Sequence, residues 1–166
     1  MRHDFSPHRE EVLLREIREG EEELLKAFLY EAIFVPEGTD PPPREILEKP
    51  ELQVYVSGFG RGEADAGFVA EVGGRPVGAA WARIMEDYGH LDDETPSLAI
   101  ALYPEVRGKG IGTALLKALL SKLKEMGYQR ASLSVQRANR ARHLYERTGF
   151  VRVVEEGEEW KMVCEL

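Results

Sequence analysis

Apolar and polar residues change periodicity several times along the chain, and these changes predict an alternation of strands and helices. Val12 to Arg18 alternates and is predicted to form a first strand. The acidic stretch from Gly20 to Glu23 suits the start of a helix, which we expect to end near Pro36. The apolar residues that recur at helical spacing, and should pack this helix on a sheet, are Leu24, Leu25, Phe28, Leu29, Ala32 and Ile33.

A proline-rich connection follows this helix. Residues 37–43 read Glu-Gly-Thr-Asp-Pro-Pro-Pro, and prolines fix φ and oppose a regular helix. We predict a short helical piece after them, and the pattern leaves the secondary structure open through Phe59. Gly67 to Val72 and Pro76 to Arg83 then flank Gly73-Gly74-Arg75, which predicts a β-hairpin because a glycine pair accepts positive φ.

The second half of the chain continues the alternation after an acidic surface loop from Glu86 to Glu94. The apolar periodicity there predicts a strand, a helix, a strand, a helix and a final hairpin. In chain order these are Leu98–Leu102, a helix from Ile111, Ala131–Val135, a helix from Asn139 to Gly149, and Phe150–Val154 paired with Glu159–Val163 across residues 155–158.

The segment Arg107-Gly108-Lys109-Gly110-Ile111-Gly112 joins a predicted strand to a long amphipathic helix. Its glycines let the backbone turn tightly and approach a ligand, and the free amides of the first helical turn favour an anion. The segment is not a Walker loop, because Gly110 stands where that motif needs Ser or Thr after the lysine, and it lacks the spacing of the dinucleotide fingerprint. An ordinary strand-to-helix turn is the alternative interpretation.

Two linked motifs resemble the GCN5-related N-acetyltransferase (GNAT) superfamily. The first is Arg107-x-x-Gly110-x-Gly112 after a strand and a proline. The second runs from Asn139 through Ala141 and Leu144-Tyr145-Glu146 to Gly149-Phe150. Specific matches lie within residues 96–151, while the element order agrees from Val12 to the end of the chain. The resemblance implies an α/β (α+β) fold with a mixed, mostly antiparallel sheet of about seven strands and helices on both faces.

The resemblance also implies acetyl-CoA as acyl donor and assigns residues to it. In that family the glycine loop holds the pyrophosphate, and the fourth and fifth strands splay apart so that backbone groups bond the pantetheine arm. The residues that carry these roles here are Ile100, Ala101, Leu102, Arg107, Gly108, Lys109, Gly110, Ile111, Gly112, Thr113 and Asn139. Asn139 is also a natural helix cap, and both roles are compatible.

Tyr145 is the predicted catalytic acid. In GNAT relatives the tyrosine of this Leu-Tyr pair points at the thioester sulfur and can protonate the leaving thiolate. Simple packing of a helical tyrosine is the alternative.

The general base stays open, because Ser97 and Ala99 occupy the strand positions where many GNAT enzymes carry an acidic residue. The segments expected to border the acceptor cleft offer Glu31, Glu37, Asp87, His90, Asp92, Asp93 and Glu94. Together with Asp40, the acids among them are expected to attract a cationic acceptor.

Composition narrows the class of protein. At 166 residues and 43% hydrophobic content the chain is expected to form one domain, residues 1–166. The net charge of −8 argues against a nucleic-acid binder and mildly favours cationic partners, while an acidic composition that serves solubility is the favoured alternative. With one cysteine, Cys164, which is read as a packing residue, and no long apolar N-terminal run, we expect a cytoplasmic protein without a membrane partner.

The sequence therefore predicts an acetyl-CoA-dependent N-acetyltransferase acting on a primary amine of a small molecule or a peptide or protein terminus. A catalytically idle acyl-CoA-binding regulatory module is the alternative. A homodimer is compatible with the sequence. We expect no metal site, since His3, His8, His90 and His143 lack ligand spacing.

Overall fold

The structure is a computed structural model that describes residues 11–166. His3 and His8 lie outside the described residues. Four helices and seven strands follow one another in the order that the sequence predicts. Their bounds are β1 Val12–Glu16, α1 Glu22–Ala32, α2 Pro50–Gln53, β2 Ala66–Val72, β3 Arg75–Arg83, β4 Ser97–Leu102, α3 Ile111–Glu125, β5 Arg130–Gln136, α4 Ala141–Thr148, β6 Val151–Glu156 and β7 Glu159–Glu165.

The strands form one seven-stranded sheet in the order β1-β2-β3-β4-β5-β7-β6. Neighbouring strands are antiparallel everywhere except between β4 and β5, which run parallel. The predicted fold class is therefore confirmed: the sheet is mixed and mostly antiparallel, and helices cover both of its faces.

Each face of the sheet buries its own apolar core, and alternation along the strands separates the two. In β3, Ala80 and Ala82 pack under α3 and α4, whereas Ala79 and Trp81 pack under α1 and the segment 44–59. Helix α3 contributes a continuous stripe of fully buried residues at helical spacing, Leu115, Leu116, Leu119 and Leu123. This stripe fixes the start of α3 relative to the sheet.

The hairpin turns are tighter than the sequence prediction. β3 begins at Arg75, so Gly73 and Gly74, with φ of 60° and 80°, make a two-residue turn alone. In the last hairpin β6 extends to Glu156, so the predicted loop over residues 155–158 is wrong by two residues. Gly157 has φ of 62° and permits the shorter turn.

The stretch that the sequence left open is built from a 3₁₀ turn at Arg44–Glu48, helix α2 and a series of turns up to Asp65. Two side chains of β3 hold it. Trp81 Nε1 donates to the carbonyl of Tyr55 at 2.9 Å. Arg83 donates to the carbonyls of Val54 and Ser57 and pairs with the buried Asp65 carboxylate at 3.1 Å. Within residues 11–166 no helix is both long and apolar enough to cross a membrane.

The acidic loop before β4 lies against β5 and β7 instead of extending into solvent. Ser132 Oγ donates to the Gly89 carbonyl at 2.7 Å, and Lys161 Nζ donates to the His90 carbonyl at 2.5 Å. Arg130 pairs with Asp92 at 2.7 Å. At Gly89 the loop is so close to the strand that a Cβ would lie 2.9 Å from the backbone of Leu133.

Gly89→Ala should therefore destabilise the protein by about 1–3 kcal/mol, because strand backbone has little room to move away from an added methyl group. Thermal unfolding would show a melting temperature several degrees lower. Asp93→Ala in the same loop is the control, since the Asp93 side chain is 89% exposed and its loss should change stability by no more than about 0.5 kcal/mol. Equal melting temperatures for the two variants would contradict this packing of the loop.

Candidate active site

The site begins where β4 and β5 separate. The two strands pair in register only at Ser97 and Ser132, where the Ser132 amide donates to the Pro96 carbonyl at 2.9 Å. Beyond this point they diverge, and a cavity of about 510 Å³ opens between them. Leu98, Ala99 and Ile100 line it from β4, and Leu133 to Gln136 line it from β5. A cleft of this size is suited to a small organic ligand.

Backbone groups of β4 face this cleft without a strand partner. The Tyr103 amide, just after β4, donates to the Val77 carbonyl in β3. In an antiparallel pair the direction of the N–H and C=O groups alternates along the strand. The odd-numbered residues of β4 therefore point these groups at β3, and the even-numbered residues point them at the cleft. Ile100 and Leu102 therefore present N–H groups to the cleft, as expected from sequence. Ala101 does not, because its peptide groups point at β3.

The glycine-rich loop lies beside the end of β4: Gly112 packs near Leu102, and Leu116, one turn further along α3, lines the cavity. Among the described residues, the amides of residues 108–113 have no hydrogen-bond acceptor, and the first amide of the helix with one is Ala114, which donates to Gly110. Gly108 and Gly110 have φ of 76° and 85°, and a Cβ on either would meet nothing within 4 Å. The loop thus offers successive free N–H groups and open space above them, an arrangement that suits an anion.

The side chains of this loop have different surroundings. Arg107 Nε donates to the Leu102 carbonyl at 3.0 Å, and its guanidinium lies 3.8 Å from Glu31 of α1. Arg107 therefore ties the loop to β4 and α1. Lys109 is exposed, Ile111 is buried in the core, and Thr113 is half-buried. Gly112 packs closely, since a Cβ there would lie 3.4 Å from Leu144 of α4 and 3.5 Å from Leu102.

Helix α4 brings two predicted residues to the cleft. Asn139 lines the cavity, and its Oδ1 accepts the Ala141 amide at 2.9 Å, so the capping role is present and the amide nitrogen remains available to donate. Tyr145 also lines the cavity although only 7% of it is exposed, and its ring packs edge-on against Phe150. Burial raises the pKa of the Tyr145 hydroxyl, so it is protonated at neutral pH.

The wall opposite α4 contains residues that sequence reasoning missed. Tyr55 and Tyr88 line the cavity from the segment after α2 and from the acidic loop, and Glu159 lines it from the start of β7. These residues come from distant parts of the chain, so no local motif reports them. The available signal was the alternation in β7, which directs Trp160 and Met162 into one core and Glu159 to the opposite face.

Behind this wall lies a hydrogen-bonded group around Asp87. Its carboxylate accepts a hydrogen bond from Ser97 Oγ at 2.7 Å. Burial raises the pKa of the Asp87 carboxyl, and burial with the nearby Asp87 charge raises the pKa of Tyr55. Asp87 thus lies near Tyr55 at the edge of the cleft.

The other residues considered for the base do not line the cavity. Asp92 pairs with Arg130, and hydrogen bonds from Thr95 and the Glu94 amide lower its pKa. The His90 ring nitrogen Nδ1 lies 2.9 Å from the Met85 carbonyl, which keeps the ring within the loop. Glu31 faces Arg107, as described above, and the remaining acids, Glu37, Asp40, Asp93 and Glu94, are exposed.

Two further residues singled out from sequence lie away from the cleft. His143 is exposed and 3.5 Å from Glu146, and Cys164 is buried in the core under α3 and α4. Burial raises the pKa of the Cys164 thiol, which lowers its reactivity. In the described part of the chain no three His, Cys, Asp or Glu side chains come together in a way that could hold a metal ion.

A family model described as the acetyltransferase (GNAT) family matches residues 27–150, and the chain belongs to this family. The match runs from the middle of α1 past the end of α4 and includes the glycine loop and both strands that border the cleft.

Two curated relatives match part of the chain. Over 78 residues it is 37% identical to a mycothiol acetyltransferase of Propionibacterium freudenreichii, a match that covers 46% of this chain and 24% of that protein. Over 58 residues it is 45% identical to the [ribosomal protein bS18]-alanine N-acetyltransferase of Haemophilus influenzae, covering 35% of this chain and 40% of that protein. The matches thus span less than half the length of these relatives.

Solved structures share the fold at low identity. The GNAT domain of S. lividans PAT aligns with a TM-score of 0.70 at 18% identity, over 98% of this chain and 100% of that one. The PaiA N-acetyltransferase from Thermoplasma acidophilum, solved in complex with coenzyme A, aligns with a TM-score of 0.67 at 18% identity, over 94% of this chain and 99% of that one.

Proposed function

We propose that the protein is an acetyl-CoA-dependent N-acetyltransferase that transfers the acetyl group directly from the thioester to a primary amine. The observation that carries this proposal is that the unpaired β4 edge and Tyr145 border one cleft, and that the free amides of residues 108–113 follow at the end of β4. Family membership supports it, as do the two curated relatives, whose names describe acetyltransferases.

Two parts of the chain are suited to bind acetyl-CoA, the acyl donor. The amides of residues 108–113 donate to the pyrophosphate, with the positive end of the α3 dipole behind them. The Ile100 and Leu102 amides, with the Asn139 side-chain amide across the cleft, donate to the carbonyl groups of the pantetheine arm. Because α3 is packed rigidly on the sheet, these N–H groups need no reordering when acetyl-CoA binds.

Tyr145 supplies the proton for the leaving group. As the amine nitrogen bonds to the carbonyl carbon and the C–S bond breaks, the sulfur takes the tyrosine proton and leaves as a neutral thiol. The raised pKa keeps the hydroxyl protonated before the reaction, so it can donate a hydrogen bond to the sulfur as negative charge develops there.

The acceptor enters from the face of α1, α2 and the loop that carries Tyr88. Glu51 and Lys49 lie at the cavity wall on this side, together with Tyr55 and Glu159. The proposed acceptor is a primary amine on a small molecule or a peptide terminus, and the −8 charge of the chain favours a cationic one. The bS18-alanine relative makes a terminal alanine a sensible first peptide probe. We propose that residues 1–166 act as one domain in the cytoplasm.

The direct test is release of coenzyme A thiol when the protein is mixed with acetyl-CoA and one of three amines: spermidine, glucosamine or trialanine amide. Turnover with at least one amine is expected. Tight acetyl-CoA binding in calorimetry without turnover would instead favour an idle acyl-CoA-binding module.

The anion site can be tested at Gly110 with two variants of equal shape. Gly110→Asp and Gly110→Asn both place a side chain at a left-handed position that these residue types tolerate better than others do. They differ in charge, so the aspartate variant should bind coenzyme A at least about tenfold more weakly than the asparagine variant, or about 1.4 kcal/mol. Calorimetric titration measures both. Equal affinities of the two variants for coenzyme A would show that residues 108–113 do not bind the pyrophosphate.

The acid role is tested by Tyr145→Phe, which keeps the ring packing against Phe150 and removes the hydroxyl. The turnover number should fall about a hundredfold or more, while coenzyme A affinity stays close to that of the wild type. Steady-state kinetics and calorimetry report the two quantities separately. Wild-type turnover in this variant would leave Tyr145 as a packing residue.

A further inference from the structure

We propose that Glu159, oriented by Gln136, is the carboxylate that receives the ammonium group of the acceptor and removes its proton. This inference rests on the proposed function and deepens it, because it assigns the base that the sequence left open.

The position of Glu159 follows from the register of two strands. Gln136 and Glu159 are paired across β5 and β7, so their side chains lie on the same face of the sheet. The face is the one opposite α3 and α4, because the neighbouring pair Val135 and Trp160 points into that core. Both Gln136 and Glu159 line the cleft that also contains Tyr145. Glu159 therefore lies on the acceptor side of the site.

Gln136 leaves one carboxylate oxygen of Glu159 available. The Gln136 amide nitrogen donates to Glu159 Oε1 at 3.3 Å, and no described residue donates to Oε2. A carboxylate oxygen held in this way toward the cleft is a suitable acceptor for an N–H of an ammonium ion. Gln136 is thus a positioning residue, and Glu159 is the group that meets the substrate.

Glu159 suits the role better than the other carboxyl groups near the cleft. Asp87 does not line the cavity and already accepts a hydrogen bond from Ser97. Glu51 lines the cavity but is exposed to solvent, whereas Glu159 is half-buried. Burial raises the pKa of the Glu159 carboxyl, which makes it a stronger base than a solvated glutamate.

The charged and titratable groups around Glu159 come from every element that borders it. Tyr55, Tyr88, Tyr145, Lys49 and Glu51 line the same cavity as Glu159. From β6, the carboxylate-bearing Glu156 is its paired residue across the last hairpin. On its own strand, Lys161 shares the face of Glu159 and donates to the His90 carbonyl. Of these groups, Tyr55 and Tyr145 have a raised pKa and stay protonated at neutral pH.

The proton balance of the step is complete. The ammonium gives one proton to Glu159 Oε2, and the freed lone pair bonds to the thioester carbon while the C–S bond breaks. The thiolate takes the Tyr145 proton, and the second N–H proton lost by the new amide returns to Tyr145. Glu159 passes its proton to water at the cleft mouth, so one proton is released for each amide formed.

The test is Glu159→Gln, which keeps the side-chain shape and removes the charge, with Glu156→Gln as matched control. Glu156 is exposed and faces Glu159 across the last hairpin, so the same chemical change is made on the neighbouring strand. Turnover with spermidine, glucosamine and trialanine amide is measured from pH 6 to pH 10, together with coenzyme A affinity.

In Glu159→Gln the turnover number at pH 7 should fall about a hundredfold or more, with coenzyme A affinity unchanged. The deficit should shrink as the pH approaches the pKa of the amine, because free-base acceptor no longer needs the carboxylate. Glu156→Gln should behave as the wild type throughout. A purely structural role would lower the rate equally at every pH.

Two outcomes overturn the inference and are distinguishable. If the wild type acetylates an amine and Glu159→Gln matches Glu156→Gln over the whole pH range, Glu159 is not the base while the proposed function stands. If the wild type acetylates none of the three amines, the proposed function fails and the inference fails with it.

Discussion

The early end of the pairing between β4 and β5 is the constraint on which the site depends. Parallel strands usually continue their ladder, and buried peptide groups left without a partner cost free energy. Here the ladder stops after Ser97 and Ser132, so the Ile100 and Leu102 amides face a cleft instead of a strand. A ligand with carbonyl groups along an extended chain can satisfy them. We therefore propose that the missing strand contacts serve ligand binding.

The rest of the protein holds this opening in place. On one face the leucine stripe of α3 fixes the free amides of residues 108–113 beside the end of β4. On the other face Trp81 and Arg83 of β3 hold the segment that carries Tyr55. The loop before β4 is fastened to β5 and β7 and closes the narrow end. The donor and acceptor sides of the cleft are thus built on opposite faces of one rigid sheet.

The local features of this arrangement could be predicted from sequence. Periodicity predicted the seven strands and the helices α1, α3 and α4, and the glycine spacing at residues 107–112 predicted the tight turn before α3, because each depends on residues close together in the chain. The acceptor wall could not be predicted in this way, since Tyr55, Tyr88 and Glu159 meet only in three dimensions. Charge was also misleading: Asp92 looked available to a substrate but is paired with Arg130. The direction of the Ala101 peptide groups depends on the register with β3, which periodicity does not specify.

Residue-resolved amide hydrogen exchange, followed by NMR with and without coenzyme A, tests the central claim most directly. The Ala99 and Ala101 amides, which face β3, should be protected in both states. The Ile100 and Leu102 amides should exchange faster without ligand and become protected when coenzyme A binds. Protection of Ile100 and Leu102 in the free protein, or no change on binding, would contradict the account of an open strand edge that the ligand completes.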